Sequence, residues 1–384
     1  MYVLKSHDME TAAAFIPNED SNDNKNYPSA VKVWLIIGLV MIFFQVVIGG
    51  VTRLTGSGLS ITKWEIVTGT FPPMNAAEWQ AEFDLYKETP QYQKINEGMS
   101  IGDFKFIYFW EYFHRLWARS MGFVFIIPLF FFWRKKWIDR PLFKRLGIVF
   151  LMAGLVASFG WIMVASGLIN RPLVNAYKLT MHLSLAFILY AYLLWTTLGV
   201  IFTDIKVINN SMLKKGIYLI LGVLSLQIIF GGVVSGMKAG LFYPSWPDMN
   251  GEWIPAILFD PSQWNVDNFV QYDEGVFMAA FIQLVHRSTA YLLTIMILTY
   301  FFKAIRLDIS RPFKFGLYLL VSMLIIQILL GIFTLINSVG VIPVGLGVMH
   351  QGGALILLSI TLFLLFQVRS VKNYENVENY AGKL

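Results

Sequence analysis

No cysteine occurs in this chain of 384 residues. Disulfides, thiolate ligation of iron, iron–sulfur clusters and covalent attachment of haem through Cys are excluded at once. Charge is also scarce, with Asp, Glu, Lys and Arg making up 14% of the residues against 56% hydrophobic ones. Several apolar runs reach the roughly 20 residues that a helix needs to cross about 30 Å of hydrocarbon. The chain therefore reads as an all-α integral membrane protein. The net charge of +6 does not point to nucleic acid, because the basic residues cluster in short loops beside the apolar runs, where they set topology. Residues 1–30 carry Asp8, Glu10, Glu19, Asp20 and Asp23. That segment lacks the apolar core of a signal peptide and the basic, acid-poor character of a transit peptide. It reads as a cytoplasmic tail, with a bacterial plasma membrane as the expected location.

Eight membrane spans are expected, at Val31–Val51, Phe104–Trp133, Arg145–Gly167, Val174–Phe202, Leu213–Ser235, Val276–Phe302, Pro312–Ser338 and Pro343–Val368. Short basic connections follow the second, fourth and sixth spans, carrying Arg134, Lys135 and Lys136, then Lys206, Lys214 and Lys215, then Lys303, Arg306 and Arg311. The long connections after the first and fifth spans carry acids such as Glu78, Glu82, Asp84, Asp248 and Asp267. The Lys and Arg bias places both termini in the cytoplasm and the long loops outside.

The chain also repeats itself. Gln45-Val46-Val47-Ile48-Gly49-Gly50-Val51 recurs as Gln227-Ile228-Ile229-Phe230-Gly231-Gly232-Val233. The same register carries Gly58-Leu59, Trp64 and Gly69 onto Gly240-Leu241, Trp246 and Gly251. Spans one to four thus match spans five to eight in order, and an even number of spans per half makes the two four-helix bundles parallel repeats. The expected organisation is a tail (1–30), a first half (31–203), a linker (204–212), a second half (213–368) and a short cytoplasmic tail (369–384).

Histidine is scarcer still, with five in all, and His7 lies in the tail. The other four fall inside apolar spans as two matched pairs, His114 with His182 and His286 with His350. An ionisable side chain within the hydrocarbon is costly and marks a function by default, and imidazole is the usual axial ligand of haem iron. All four lie within about three turns of the outer ends of their spans, at 1.5 Å rise per residue. Two pairs in two half-bundles suggest two haems, since bundles build cofactor sites from facing side chains. Helix-packing histidines hydrogen-bonded across spans are the competing explanation, and matched depth with duplication weighs against it.

The neighbours of these histidines refine the expectation. Arg115 and Arg287 directly follow His114 and His286, and a forked guanidinium suits haem propionates. Arg53 and Arg171, at outer span ends, are weaker propionate candidates. Glu111 precedes His114 by three residues, whereas Gln283 holds that place before His286. Only Glu can ionise, so the N-terminal half is expected to be chemically active and the C-terminal half to serve as its electron-transfer partner. The long outer loops, rich in Trp and Pro, are expected to cover the haem layer.

On these residues the chain resembles the heme A synthase family. The resemblance spans about Val31 to Val368. It is carried by Gly49-Gly50-Val51-Thr52-Arg53-Leu54-Thr55-Gly56-Ser57-Gly58-Leu59, Glu111-Tyr112-Phe113-His114-Arg115, Met181-His182-Leu183, the loop at Trp246-Pro247, His286-Arg287-Ser288-Thr289-Ala290-Tyr291 and Met349-His350-Gln351-Gly352-Gly353-Ala354. It implies oxidation of the C8 methyl of heme O to a formyl group, giving heme A for cytochrome oxidase. It further implies that His114 and His182 face the substrate iron, that His286 and His350 ligate heme b, and that Glu111 is the essential carboxylate. Heme O synthase and an electron acceptor become candidate partners, and a homo-oligomer stays open. Some bacterial members have a cysteine pair in the first outer loop. Here Ile61-Thr62-Lys63-Trp64 stands there, which resembles the cysteine-free, mitochondrial-like branch.

Two other readings compete: a diheme b-type electron carrier without chemistry on haem, and a repeat-built transporter, which would need broken helices and a midplane site. Reporter fusions after Lys136 and within the Glu78–Asp84 loop are expected to report opposite sides of the membrane. A cytoplasmic Glu78–Asp84 loop would overturn the topology.

Overall fold

A computed structural model describes residues 26–63, 71–168, 172–203, 205 and 207–369. Among these, eight helices are long and apolar enough to cross a membrane. They are α1 (Ser29–Leu54), α2 (Ile101–Arg134), α3 (Arg140–Gly167), α4 (Ala176–Ile201), α5 (Ser211–Gly236), α6 (Phe277–Ala304), α7 (Arg311–Ile336) and α8 (Val344–Gln367). The all-α, eight-span fold expected from the sequence is present, and the protein is a multi-pass membrane protein.

The main departure is at α3, which starts at Arg140 rather than near Arg145. Asp139 caps it by accepting from the Leu142 backbone N–H, with Pro141 in the first turn. The first two turns carry Arg140, Lys144 and Arg145, so an apolar-run reading misses them while capping chemistry specifies the start. Side-chain caps recur at Ser100 before α2, Asn175 before α4, Asn210 before α5 and Ser310 before α7. Each satisfies backbone donors that hydrocarbon would leave unpaired.

The same neighbour relations hold in both sets of four helices. α1 packs on α2 and α4, and α3 on α4; likewise α5 packs on α6 and α8, and α7 on α8. The two sets meet through α4 against α5 and α8 against α1, with α4 touching α8. The four inner helices are therefore α1, α4, α5 and α8. The likeness fails at one seam: α6 and α7 pack on each other more closely than do α2 and α3.

Packing is concentrated at the two ends. At the end with short loops, one large core joins Trp34, Leu35, Leu142, Leu193, Leu213, Ile217, Tyr300, Phe313 and Leu364. At the other end lie two smaller clusters. One stacks Phe83, Tyr86, Phe104 and Tyr108 beneath the first long loop, whose short helices are Ala76–Lys87 and Pro90–Lys94. The second joins Phe277, Leu258 and Tyr272 of the second loop to Ala176 at the start of α4. The Ala176 N–H donates to Tyr272 Oη at 2.8 Å, and Tyr177 Oη donates to the Phe269 carbonyl at 2.6 Å. The second outer loop is thus tied to a helix of the first four.

Small residues set the α4–α5 crossing. A Cβ built on Gly236 would lie 2.7 Å from the Cα of Ala176, and one on Gly232 would lie 3.1 Å from Thr180. Close approach of this kind drives helix association where no hydrophobic force is available. Gly236→Val is expected to cost about 1–3 kcal/mol through overpacking, read as a lowered thermal midpoint in detergent. An unchanged midpoint would contradict the tight crossing.

Candidate functional site

The four buried histidines share one local arrangement. Each ring is seated against a glycine of a neighbouring helix. A Cβ on Gly49 would lie 3.1 Å from the His114 ring, on Gly160 2.9 Å from His182, on Gly231 3.1 Å from His286, and on Gly331 2.9 Å from His350. The helix backbone is therefore part of the wall around each imidazole. His114 and His182 lie within electrostatic reach of each other, as do His286 and His350. The structure thus brings together the pairs expected from the sequence.

The ring nitrogens are sorted by their partners. The Val156 carbonyl can only accept, so His182 Nδ1, 3.0 Å away, carries the proton and leaves the lone pair on Nε2. Gln45 presents its amide nitrogen to His114 Nε2 at 2.9 Å, and Gln227 does the same to His286 Nε2 at 3.3 Å. An amide nitrogen only donates, so Nε2 is again the lone-pair nitrogen. Gln327 donates to the His350 backbone carbonyl at 2.7 Å. The Nδ1 atoms of His286 and His350 are buried with no hydrogen-bond partner in the protein. In the first set of helices His114 and His182 line one mainly apolar cavity and each keeps its lone pair on Nε2, a donor set that suits haem iron. His286 and His350 form a matching pair within reach of each other, and His286 likewise keeps the Nε2 lone pair that a haem iron would take. Gln45, Gln227 and the four glycines were missed as site residues. Gln45 and Gly49, one helical turn apart in the repeated motif, were the available signal.

A cavity of about 600 Å³ lies among the first four helices, within the ~300–1,000 Å³ range of ligand sites. It is lined by His114, His182, Glu111, Arg115, Arg53 and Gln45, and continues between α2 and α3 past Ala118, Gly122, Ala153 and Gly154. Its walls are mainly apolar. Small residues and the looser α2–α3 packing leave this side of the helix set open. Arg119 also lines the cavity and was not anticipated, although it stands one turn beyond Arg115.

Glu111 is 3% exposed and fully engaged. Its Oε2 accepts from the Ser60 N–H at 2.7 Å, the Ser60 hydroxyl at 2.8 Å and the Ile61 N–H at 2.9 Å. Its Oε1 accepts from Arg115 Nη2 at 2.5 Å. Four donors, one of them a cation, hold the carboxyl group in one orientation. Gln283, also buried, uses the other polarity: its amide nitrogen donates to the Ala239 carbonyl at 3.1 Å, while its oxygen accepts from Arg287 at 2.5 Å. The loop beside α2 offers N–H groups, and the loop beside α6 offers a carbonyl. The Glu/Gln difference is therefore built into the backbone around it.

Of the arginines expected near propionates, Arg53 lines the cavity and donates to the Ser235 carbonyl at 2.5 Å. Arg115 pairs with Glu111 and also reaches the Ile61 carbonyl at 3.4 Å. Arg287 donates to the carbonyls of Asp248 at 2.7 Å and Ser245 at 2.8 Å, with longer contacts to Tyr243 and Pro247. Its terminal nitrogens are thus engaged by the outer loop. Arg171 lies outside the described residues.

Residues 32–362 match the model of the COX15-CtaA family, described as cytochrome oxidase assembly protein. The chain belongs to this family. A heme A synthase of Flavobacterium johnsoniae is 41% identical over 347 residues, covering 90% of this chain and 99% of that protein. One from Nitrosospira multiformis is 39% identical over 88% of this chain and 93% of that protein. One from Sinorhizobium medicae is 38% identical, covering 86% and 88%. The COX15-CtaA match reaches into all eight helices and includes every histidine of the two pairs.

Glu111→Gln would set an amide nitrogen or a neutral oxygen against three donors and leave Arg115 without its counter-charge. Product formation is expected to fall by on the order of 100-fold or more, with the helices still assembled. Gln283→Ala is expected to keep substantial activity. Product yield per unit of folded protein checks both, and near-native yield from Glu111→Gln would reduce Glu111 to a structural partner of Arg115.

Proposed function

We propose that this chain is a heme A synthase, an oxidoreductase that converts the C8 methyl of heme O to the formyl group of heme A. The observation that carries this reading is the cavity that holds His114, His182 and the Glu111–Arg115 pair together. A porphyrin bound there would meet two neutral imidazoles, an apolar wall and a fixed carboxylate. The family relationship and the heme A synthases among its relatives support the same activity.

In this reading the first four helices, within residues 31–203, take heme O between His114 and His182. The last four, within 213–368, hold a b-type haem through His286 and His350. That bound haem would supply a route for electrons. Oxidation of methyl to alcohol releases two electrons and two protons, with water as the oxygen source. A second round gives the hydrated aldehyde, which loses water to leave the formyl group. Four electrons must therefore leave for an acceptor outside the chain.

Glu111, fixed by its four donors, would stabilise positive charge developing at the methyl carbon. Arg115 holds that carboxylate in place, and the Ser60–Ile61 backbone fixes its second oxygen. The apolar walls limit the water that reaches the reacting carbon. The polarity of the loops supports both termini in the cytoplasm and both haem sites toward the outer face of the inner membrane. Heme O synthase is a fitting partner as the source of substrate.

Two measurements test this reading. Mass analysis of haem extracted after expression with a heme O source is expected to reveal the formyl product, and two unmodified b haems alone would instead favour a diheme electron carrier. His286→Ala is expected to abolish the stable b-type spectrum. A full, unchanged spectrum in that variant would refute the assignment of heme b to the second pair.

A further inference from the structure

The repeat register aligns Gly56 with Lys238 and Arg53 with Ser235. Gly56 follows α1 at φ +71°, a left-handed conformation natural to glycine. Lys238 follows α5 in that same conformation, at φ 52° and ψ 32°. A side chain there carries a steric cost that glycine avoids, so the local backbone gives no reason for a lysine. Strain at a non-glycine residue is a pointer to function when something else at the position explains it.

Here the surroundings explain it. Lys238 lines the same cavity as His114 and His182, although it belongs to the second set of helices. Arg53 lines that cavity too, and the two cations are close enough to repel each other. Each is a place where one repeat departs from the other, and both departures converge on one cavity. Burial and the neighbouring Arg53 hold the Lys238 pKa below the usual lysine value, as expected for a cation set beside another cation. Among the described residues, Arg115 and Arg119 bring the cavity lining to four cations against the carboxylate of Glu111.

We propose that Lys238 and Arg53 together form a carboxylate-binding subsite of the cavity among the first four helices, taking a propionate of the bound porphyrin. This rests on the reading of that cavity as the substrate site. The subsite is shared between the halves: α1 supplies the guanidinium and the segment after α5 supplies the ammonium. Arg53 is oriented by its bond to the Ser235 carbonyl, which leaves its remaining donors for an anion. The second half thereby helps to hold the ligand of the first.

The test is a titration of the purified full-length protein in detergent with iron protoporphyrin IX and, separately, its dimethyl ester. The binding that counts is the part lost in His114→Ala. Lys238→Gly removes the ammonium and relieves the left-handed strain, so the variant should melt at or above the native temperature. It is expected to bind the free-acid porphyrin about tenfold more weakly, the scale of one charge-assisted pair. Its affinity for the diester should be unchanged, and Lys238→Arg should restore binding of the acid. Native affinity for the acid in Lys238→Gly would overturn the proposal. Equal weakening for acid and diester would also overturn it, because Lys238 would then act through structure. Absence of any His114-dependent binding in the native protein would instead remove the substrate-site reading, and the subsite with it.

Discussion

The contact of an imidazole with the backbone of a neighbouring helix governs this structure. A neutral histidine ring in hydrocarbon needs a wall that is close, apolar and immobile. A glycine in a packed helix provides all three, and here it does so four times. The rest follows from keeping those four contacts. Helices must pair as α1 with α2, α3 with α4, α5 with α6 and α7 with α8. The pairs must be held at fixed depth, which the capped helix starts and the two packed ends accomplish.

Within that frame the two halves diverge by a small number of polar choices. Glu111 meets backbone N–H groups and Gln283 meets a backbone carbonyl. Exchanging the side chains alone would therefore not exchange the halves, because the loops were shaped with them. The looser seam between α2 and α3 and the additional cations at Arg53 and Lys238 fall on the same side as Glu111. The proposed chemistry and the proposed anchoring of the porphyrin are thus concentrated in one cavity, while its walls draw on both halves.

Much of this was legible in the sequence because hydrocarbon is a severe filter. Apolar length located all eight helices, and the rarity of intramembrane histidine singled out His114, His182, His286 and His350. The Glu111 and Gln283 contrast was visible once the repeats were aligned. Three things were not. The start of α3 was hidden because its charged first turn resembles a loop. The roles of Gly160 and Gly331 were invisible because a glycine facing a ring carries no local mark in an apolar helix. The partners of Arg287 depended on where the second outer loop folds back, which no spacing in the chain specifies. The bonds from Tyr272 and Tyr177 across the halves belong to the same class.

Arg287 has a consequence of its own. Its terminal nitrogens bind main-chain oxygens of Tyr243, Ser245, Pro247 and Asp248, atoms that every residue type possesses. A guanidinium that grips carbonyls is blind to the side chains above them. The grip of Arg287 on that loop is therefore independent of which side chains stand at those four positions. Side chains of that loop that point outward are outside what Arg287 holds.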